Sequence, residues 1–186
     1  MIMKTAVYLT ACWLAGTLLA AVAIGRAKGT DPRKAGSGNP GARNAGRLFG
    51  RTAFLSVFLA DAAKGAIAVL AGRLIGLPEV LVAAGGLMAV IGHIFPLPGR
   101  TGGKGVSTFI GAALFFSPSA MAGFIAGAAA AWLPARNAVL AMPGAFAAWT
   151  LALLFTGQLG DAWPLLISAS LVLLRHREDF RTAITR

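Results

Sequence analysis

Acidic residues are the scarcest charged residues in this sequence, with six Asp and Glu against 17 Lys and Arg. All charged residues together make up only 12% of the 186 residues, about half of the share that is typical of a soluble domain. Hydrophobic residues, in contrast, make up 57%. This composition excludes an ordinary soluble domain, and we predict an all-α integral membrane protein.

Cysteine and histidine are also nearly absent. Cys12 is the only cysteine, which excludes an intramolecular disulfide, and His93 and His176 are the only histidines. The sequence shows no pair of carboxylates, no Ser-His-Asp set and no cluster of metal ligands, which argues against a conventional hydrolase or a metalloenzyme. We therefore predict that the protein uses no metal and no cofactor.

Seven apolar segments follow one another along the chain and are joined by short loops. They cover residues 5–24, 52–75, 80–95, 105–116, 119–133, 138–156 and 164–174. We predict a compact bundle of about seven transmembrane helices that forms a single membrane domain over residues 1–186. The middle pair, 105–116 and 119–133, is short for two full spans, so five spans with a re-entrant pair is the alternative.

The distribution of positive charge predicts the orientation of this bundle. Residues 26–51 hold seven Lys and Arg against one acid, Asp31, and 14 of the 17 basic residues fall on the same side under the seven-segment reading. Because basic loops stay inside, we predict an external N-terminus and a cytoplasmic C-terminus. Membrane topology explains the net charge of +11, so we predict no nucleic acid as a partner. We also predict that the protein contacts membrane lipids and is a monomer.

The first apolar segment has an alternative reading as a cleaved signal peptide. Lys4 precedes it, and Ala21-Val22-Ala23 resembles a cleavage site. The run is long for a signal peptide, however, and Arg26 follows it directly, as a stop-transfer flank does. We predict a membrane span.

A polar, glycine-rich loop at residues 36–47 interrupts the apolar sequence. Its glycines leave backbone amides open to a ligand, and its polar side chains suit a phosphate group: Ser37, Asn39, Arg43, Asn44 and Arg47. Gly36, Gly38 and Gly41 match a dinucleotide-binding pattern, but no strand precedes them, so that reading fails. A plain cytoplasmic linker is the alternative to an anion site.

A second polar cluster lies at residues 92–108 and a third at residues 175–179. The second contains His93, Gly102, Gly103, Lys104 and Ser107, and it differs from a Walker A loop because Gly105 follows the lysine. A lysine in a glycine-rich turn before a helix still favours an anion. The third cluster contains His176, Arg177 and Asp179. All three clusters fall on the cytoplasmic side, where we predict a site that binds and positions phosphate groups.

Asp61 and Lys64 lie one helical turn apart inside the second apolar segment. Charged residues within a span usually face the bundle interior or a polar cavity. They could form an ion pair that only makes insertion tolerable. We favour a functional role, because Lys64 is close to the basic loop.

Four motifs in this order resemble a known family. They are Gly36-Ser37-Gly38-Asn39-Pro40-Gly41-Ala42 with Asn44 and Arg47, Asp61-x-x-Lys64-Gly65, Gly92-His93-Ile94-Phe95-Pro96 with Gly102-Gly103-Lys104-Gly105-Val106, and Arg175-His176-Arg177-Glu178. The chain resembles the bacterial acylphosphate-dependent glycerol-3-phosphate acyltransferases, the PlsY family, over its whole length. The resemblance implies a helical enzyme of the bacterial inner (cytoplasmic) membrane that transfers an acyl group from acyl phosphate to the 1-hydroxyl of glycerol 3-phosphate. The products would be lysophosphatidate and phosphate.

The resemblance also implies roles for particular residues. It makes Lys104, His93 and His176 the candidate catalytic residues. The candidate substrate-binding residues are Ser37, Gly38, Asn39, Arg43, Asn44, Arg47, Lys64, Gly102, Gly103, Ser107, Arg177 and Asp179. The acceptor of the hydroxyl proton is either a substrate phosphate oxygen, as suggested for the family, or one of the two histidines.

The chain departs from the family pattern at several positions. Arg43 stands where the family usually has Thr, Thr101 where a basic residue is common, and Asp179 where Asn is typical. The segment between Pro96 and Gly102 is one residue short and lacks the usual aromatics. A divergent acyltransferase that uses another phosphorylated alcohol is therefore an alternative. A small-solute or phosphate transporter is another, although we find no internal repeat and no midplane cluster of polar residues.

Overall fold

The computed structural model describes residues 1–97 and 101–185, and within these ranges the chain forms ten α-helices and no β-strand. The helices are α1 (Ile2–Gly16), α2 (Ala20–Ala27), α3 (Ala42–Phe49), α4 (Arg51–Leu74), α5 (Glu79–Ile94), α6 (Val106–Phe116), α7 (Pro118–Ala135), α8 (Ala138–Phe155), α9 (Leu159–Arg175) and α10 (Arg177–Ile184). The predicted all-α class is confirmed. Pro98, Gly99 and Arg100 of the second polar cluster lie outside the described residues.

Each apolar segment of the sequence forms helix. Four stretches are long and apolar enough to cross a membrane, namely Ile2–Ala27, Arg51–Leu74, Pro118–Ala135 and Ala138–Phe155. Helices α5 and α6 are apolar but shorter. At 1.5 Å per residue the 11 residues of α6 extend only about 16 Å, roughly half of a hydrocarbon core. The number of complete spans stays a prediction.

Small residues form much of the protein interior, and large apolar residues cover its outside. Twelve of the buried hydrophobic residues from Ala21 to Ala120 have a relative exposure of 0%, and eleven of these twelve are Ala or Val. Side chains such as Leu59, Ile67 and Ile125, in contrast, are each more than 60% exposed. An apolar exterior of this kind suits contact with lipid rather than with water.

Glycine contacts bring the central helices close together. A Cβ at Gly65 of α4 would overlap the backbone of α6 at Thr108, and a Cβ at Gly111 of α6 would overlap the α4 carbonyl of Ala62. Gly16 and Gly92 bring α1 and α5 together in the same way. Because hydrophobic burial drives helix association only weakly in a membrane, this close backbone packing is a main source of cohesion.

Two segments that the sequence analysis treated as loop or tail are helical. Helix α3 buries Ala42, Asn44 and Ala45 and exposes the side chains of Arg43 and Arg47. It is therefore amphipathic, and packing of its buried side holds this short polar segment in a helix. Helix α10 carries Glu178 and Asp179 in its first turn and Arg181 in its last turn. These charges complement the helix dipole.

Candidate active site

The three polar clusters meet at a cavity of about 310 Å³ at one end of the bundle. Loop 36–41 and α3 form one side, the start of α6 another, and the junction of α9 and α10 a third. Nine of the predicted site residues line it: Ser37, Asn39, Arg43, Arg47, His93, Lys104, Ser107, His176 and Asp179. Residues that are separated by more than 130 positions in the sequence thus share one site.

Asn44 holds the glycine-rich loop in place. Its side-chain NH₂ donates to the carbonyl oxygens of Pro32 and Ala35 at 2.9 and 3.0 Å, and its Oδ1 accepts from the backbone N–H of Ser37 at 2.9 Å. The side chain is buried, and these contacts use both its donors and its acceptor oxygen. Asn44 therefore lies behind the cavity and shapes the loop that lines it.

Lys104 enters the cavity directly before α6. Gly105, the N-cap of α6, has φ +86°, a conformation that favours glycine and turns the chain into the helix. Residues Gly105, Val106 and Ser107 line the cavity, so the open end of α6 directs free amides and the positive end of its dipole towards it. The Lys104 ammonium forms an ion pair with the Asp179 carboxylate of α10.

His176 faces the same cavity from the end of α9. Its Nδ1 lies 2.8 Å from the carbonyl oxygen of Val172, and because a carbonyl can only accept, Nδ1 carries the proton. Burial lowers the pKa of His176 below its usual value, and nearby Lys104 acts in the same direction. A neutral imidazole in this tautomer leaves a lone pair on Nε2, which lies 3.8 Å from Asp179 Oδ2.

Asp61, Lys64 and His93 form a buried polar cluster at the base of the cavity, which Asp61 and His93 help to line. Lys64 Nζ lies 2.8 Å from Asp61 Oδ1 and 3.0 Å from His93 Nδ1, and the Asp61 carboxylate lies 3.6 Å from the same ring nitrogen. An ammonium can only donate, so His93 Nδ1 accepts and its Nε2 carries the ring proton. His93 is therefore arranged as a hydrogen-bond donor through Nε2.

Lys64 also stabilises a break in the helix that the first apolar segment forms. The helix breaks at residues 17–19, between α1 and α2. Lys64 Nζ donates to the carbonyl oxygens of Gly16 and Leu18, at 3.3 and 2.8 Å. It thereby satisfies carbonyls that a break in a membrane helix would otherwise leave unpaired.

Gly102 and Gly103 pack directly against the end of α5. The Gly103 N–H donates to the carbonyl oxygen of His93 at 3.0 Å. A Cβ at Gly103 would overlap the His93 ring at Nε2, and one at Gly102 would overlap the carbonyls of His93 and Ile94. These glycines allow the loop that carries Lys104 to lie on His93.

Six of the predicted site residues do not line the cavity. Asn44, Lys64, Gly102 and Gly103 lie in the layer behind it, and Gly38 lies in the loop with φ +72°. Arg177 lies on the surface, where 77% of its side chain is exposed beside Glu178. It points away because α10 turns its neighbours His176 and Asp179, and not Arg177, towards the cavity.

The structure adds lining residues that the sequence analysis did not select for the site. Asp61 is one, although its position inside an apolar segment had marked it as unusual. The others are mainly apolar and come from α4, α6 and α8: Phe54, Phe58, Val106, Val139 and Met142. No sequence signal distinguishes these from ordinary lipid-facing or core residues.

Fold and site together define a helical membrane protein whose cavity is lined by cationic side chains and by apolar ones. The family model for glycerol-3-phosphate acyltransferase matches residues 6–186. A glycerol-3-phosphate acyltransferase of Pseudomonas paraeruginosa is 41% identical over 175 residues, which cover 91% of this chain and 90% of that protein. The glycerol-3-phosphate acyltransferase 1 of Deinococcus radiodurans is 38% identical over 171 residues, 91% of this chain and 86% of that protein.

Two solved structures agree with these relatives. The glycerol 3-phosphate form of PlsY, described as an integral membrane glycerol 3-phosphate acyltransferase, is 30% identical with a TM-score of 0.88, covering 98% of this chain and 92% of that one. Its lysophosphatidic acid form is 28% identical with a TM-score of 0.82 and the same coverage. The chain belongs to the glycerol-3-phosphate acyltransferase family, as its motifs predict.

Proposed function

We propose that this enzyme transfers an acyl group from acyl phosphate to the 1-hydroxyl of glycerol 3-phosphate. The observation that carries the proposal is the convergence of Arg43, Arg47 and Lys104 with the open end of α6 on one cavity that also has an apolar wall. Both substrates carry a phosphate, and the donor also carries a hydrocarbon chain. A cavity with cations and amides on one side and apolar side chains on the other suits this pair.

The reaction requires alignment and charge stabilisation more than acid catalysis. The 1-hydroxyl oxygen attacks the acyl carbonyl carbon, the bond from that carbon to the phosphate oxygen breaks, and phosphate leaves as an anion. Lys104 and the first amides of α6 are positioned to stabilise the departing phosphate or the oxyanion. Arg43 and Arg47 bind the phosphate of the acceptor, and Ser37 and Asn39 orient its hydroxyls.

The hydroxyl proton goes either to a phosphate oxygen of a substrate or to His176. The two histidines differ in this respect, because His176 has its Nε2 lone pair available whereas His93 Nδ1 accepts from Lys64. We therefore assign His93 a positioning role, since its ring packs against Gly103 and its backbone carbonyl accepts from the Gly103 N–H. We assign His176 as the protein group able to accept the proton. The phosphate oxygen remains the rival acceptor.

Phosphate release tests the proposed function directly. Purified protein supplied with acyl phosphate and glycerol 3-phosphate should form lysophosphatidate and free phosphate in equal amounts. If the same amount of phosphate is released when glycerol 3-phosphate is omitted, the reaction is simple hydrolysis of acyl phosphate. Uptake of a phosphorylated solute into vesicles with no phosphate release would instead indicate the transporter alternative. A faster reaction with another phosphorylated alcohol would identify a divergent acyltransferase.

We also propose that the cavity faces the cytoplasm, with the N-terminus outside and the C-terminus inside. The basic excess in residues 26–51 and in the tail after Leu174 supports this orientation. In a variant that lacks Cys12, a membrane-impermeant thiol reagent should modify a cysteine introduced beside Lys4 in intact cells. A cysteine introduced at Thr185 should react only after lysis. The reverse pattern would contradict the proposed orientation.

Asp179→Asn should lower the Michaelis constant for glycerol 3-phosphate several-fold. The Asp179 carboxylate pairs with Lys104 and brings negative charge to a cavity that binds anions. The amide keeps the shape of the side chain while it frees the ammonium for phosphate. The measurement is steady-state kinetics at several ionic strengths, with Glu178→Gln on the exposed surface as the control. An unchanged or higher Michaelis constant would show that the ion pair positions Lys104 productively.

Arg43→Thr should raise the Michaelis constant for one of the phosphorylated substrates several-fold and change turnover less. Arg43 lines the cavity, and within residues 1–97 and 101–185 it takes part in no ion pair. The substitution restores the residue usual in the family but removes a phosphate donor from a site built around it. Arg26→Thr serves as the control for lost surface charge. Unchanged kinetics for both substrates would show that Arg43 contacts only lipid headgroups.

A further inference from the structure

A second groove lies beside the helix break in the first apolar segment, between α2 and α4. It has a volume of about 400 Å³. Ala60 and Lys64 line it from α4, whereas Phe54 and Asp61 of the same helix line the active-site cavity. The described lining residues of the two sites do not overlap. The groove is therefore separate from the site of the reaction and lies on a different face of α4.

Most of the groove is apolar and follows α2. The side chains along this wall are those of Leu18, Leu19, Ala20, Val22 and Ala23. Helix α2 has eight residues, which corresponds to a length of about 12 Å. Leu18 at one end of the wall is 69% exposed, so the groove opens to the surroundings of the protein. A wall of this length and composition can contact part of a hydrocarbon chain that enters from the side.

The other end of the groove carries two arginine side chains. Arg26 and Arg33 line the groove and also a smaller pocket of about 280 Å³ at the end of α2. Thr30 and Asp31 give this smaller pocket a polar lining. The two arginines thus stand at the boundary between an apolar groove and a polar pocket.

Three cations line the groove, and two of them are compensated by a carboxylate. Lys64 pairs with Asp61 and Arg33 pairs with Asp31, each at 2.8 Å. Within residues 1–97 and 101–185 the Arg26 guanidinium takes part in no ion pair. In the same part of the chain the contacts of Arg33 with Asp31 use Nε and Nη2, which leaves Nη1 available. The groove therefore has one uncompensated positive charge and guanidinium donors at its polar end.

The deep end of the groove is the helix break that Lys64 stabilises. Lys64 Nζ donates to the carbonyl oxygen of Leu18 at 2.8 Å and lies 3.0 Å from His93 Nδ1 at the base of the active-site cavity. A hydrocarbon chain that packs against Leu18 and Leu19 would cover the exposed side of this break. It would thereby support the segment whose carbonyls hold Lys64 in place.

We propose that this groove binds one anionic phospholipid, with its phosphate at Arg26 and Arg33 and part of an acyl chain along α2. A phosphodiester lipid with a net charge of −1 matches the single uncompensated charge. Guanidinium groups suit phosphate oxygens, and basic residues beside a span attract anionic lipids. A free anion would leave the apolar wall without a partner, and a zwitterionic lipid would bring a second cation to the arginines. The proposal is independent of the proposed function, because this lipid is neither substrate.

Native mass spectrometry with dioleoyl lipids tests the headgroup. Protein in lipid-free detergent is the baseline, in which Arg26 has no phosphate to bind, and phosphatidylglycerol or phosphatidylcholine is then added at equal concentration. The wild type should retain one phosphatidylglycerol and roughly fivefold less phosphatidylcholine, and Arg26→Gln should lower phosphatidylglycerol binding by about fivefold. Lys28→Gln removes the same charge from an exposed position outside the groove and should keep wild-type binding.

A second pair of variants tests the apolar wall. Ala60→Leu narrows the groove without a change of charge and should lower phosphatidylglycerol binding several-fold. Ala63→Leu, at an exposed position of α4 outside the groove, should not. Phosphatidylglycerol with a diazirine in the middle of one acyl chain should crosslink to residues 18–23 or to Ala60.

Equal losses of binding in Arg26→Gln and Lys28→Gln would overturn the proposal, because the basic loop would then attract anionic lipid without a defined site. Equal binding of phosphatidylcholine would overturn the role assigned to the headgroup charge. A large excess of inorganic phosphate should leave phosphatidylglycerol bound, and its complete displacement would indicate a site for free anions instead. Crosslinks found only on α6, α7 or α8 would show that the lipid lies elsewhere. These measurements involve no turnover, so their failure would leave the proposed reaction unaffected.

Discussion

Lys104→Ala is expected to reduce turnover about a hundredfold while the protein stays folded in detergent. Lys104 combines three features in the cavity: a full positive charge, a position at the open end of α6, and contact with Asp179. Removing a charge-assisted donor from a partly desolvated site that stabilises a departing phosphate should cost about 3 kcal/mol. The measurement is single-turnover phosphate release under saturating substrate, with size-exclusion profiles to verify folding.

Control variants distinguish the loss of the Lys104 charge from the effect of leaving the Asp179 carboxylate unpaired. Lys104→Ala leaves Asp179 without its partner in an anion site, so the double variant Lys104→Ala/Asp179→Asn removes that repulsion. If Lys104 stabilises the reaction, the double variant stays at least tenfold below wild type. Arg177→Ala, which removes an exposed cation nearby, should retain full activity. A Lys104→Ala variant with half the wild-type rate would show that Lys104 only determines topology.

The sequence predicted the regions of the site better than the geometry within each region. Glycines, arginines and histidines are conspicuous in an apolar chain, and the positive-inside rule places their clusters on one side. That reasoning correctly brought loop 36–47, Lys104 and His176 together. It could not separate Asn44, which holds the loop, from Asn39, which lines the cavity. The difference depends on which carbonyls the folded loop presents to each amide.

The break in the first apolar segment was also beyond the sequence analysis. Residues 17–19 contain no proline, and the local composition favours a continuous helix. Lys64, 46 residues later than Leu18, supplies the donors that make the break acceptable. Long-range compensation of this kind leaves no local signal. The apolar lining from α8 was missed for a similar reason, because its role depends only on which face of the helix borders the cavity.

The presence of Asp179 instead of Asn has a structural consequence that the sequence alone did not indicate. Asp179 contacts both Lys104 and His176, so the charge change affects two candidate catalytic groups together. The carboxylate favours the protonated form of the nearby His176, whereas burial and Lys104 oppose it. Binding of a phosphate at Lys104 must therefore rearrange the interactions of all three residues.

Asp61→Asn should destabilise the protein by about 3 kcal/mol, because it removes the carboxylate that compensates the Lys64 ammonium inside the membrane region. Both side chains are at most 10% exposed, and Lys64 also holds the break between α1 and α2. For a chain of this size the midpoint of thermal unfolding in detergent should fall by roughly 6–12 °C. Glu178→Gln, which weakens exposed ion pairs with Arg177 and Arg181, should leave the midpoint unchanged.

A double-mutant cycle tests whether the effect belongs to the pair. Lys64→Met alone should destabilise the protein, because Asp61 then lies buried without a cation and the carbonyls of Gly16 and Leu18 lose their donor. The double variant Asp61→Asn/Lys64→Met should be more stable than the sum of the two single losses predicts, by on the order of 2 kcal/mol. Strict additivity would show that the two residues act independently. The buried pair would then be a tolerated feature of the span, with no coupling between the helix break and the floor of the active site.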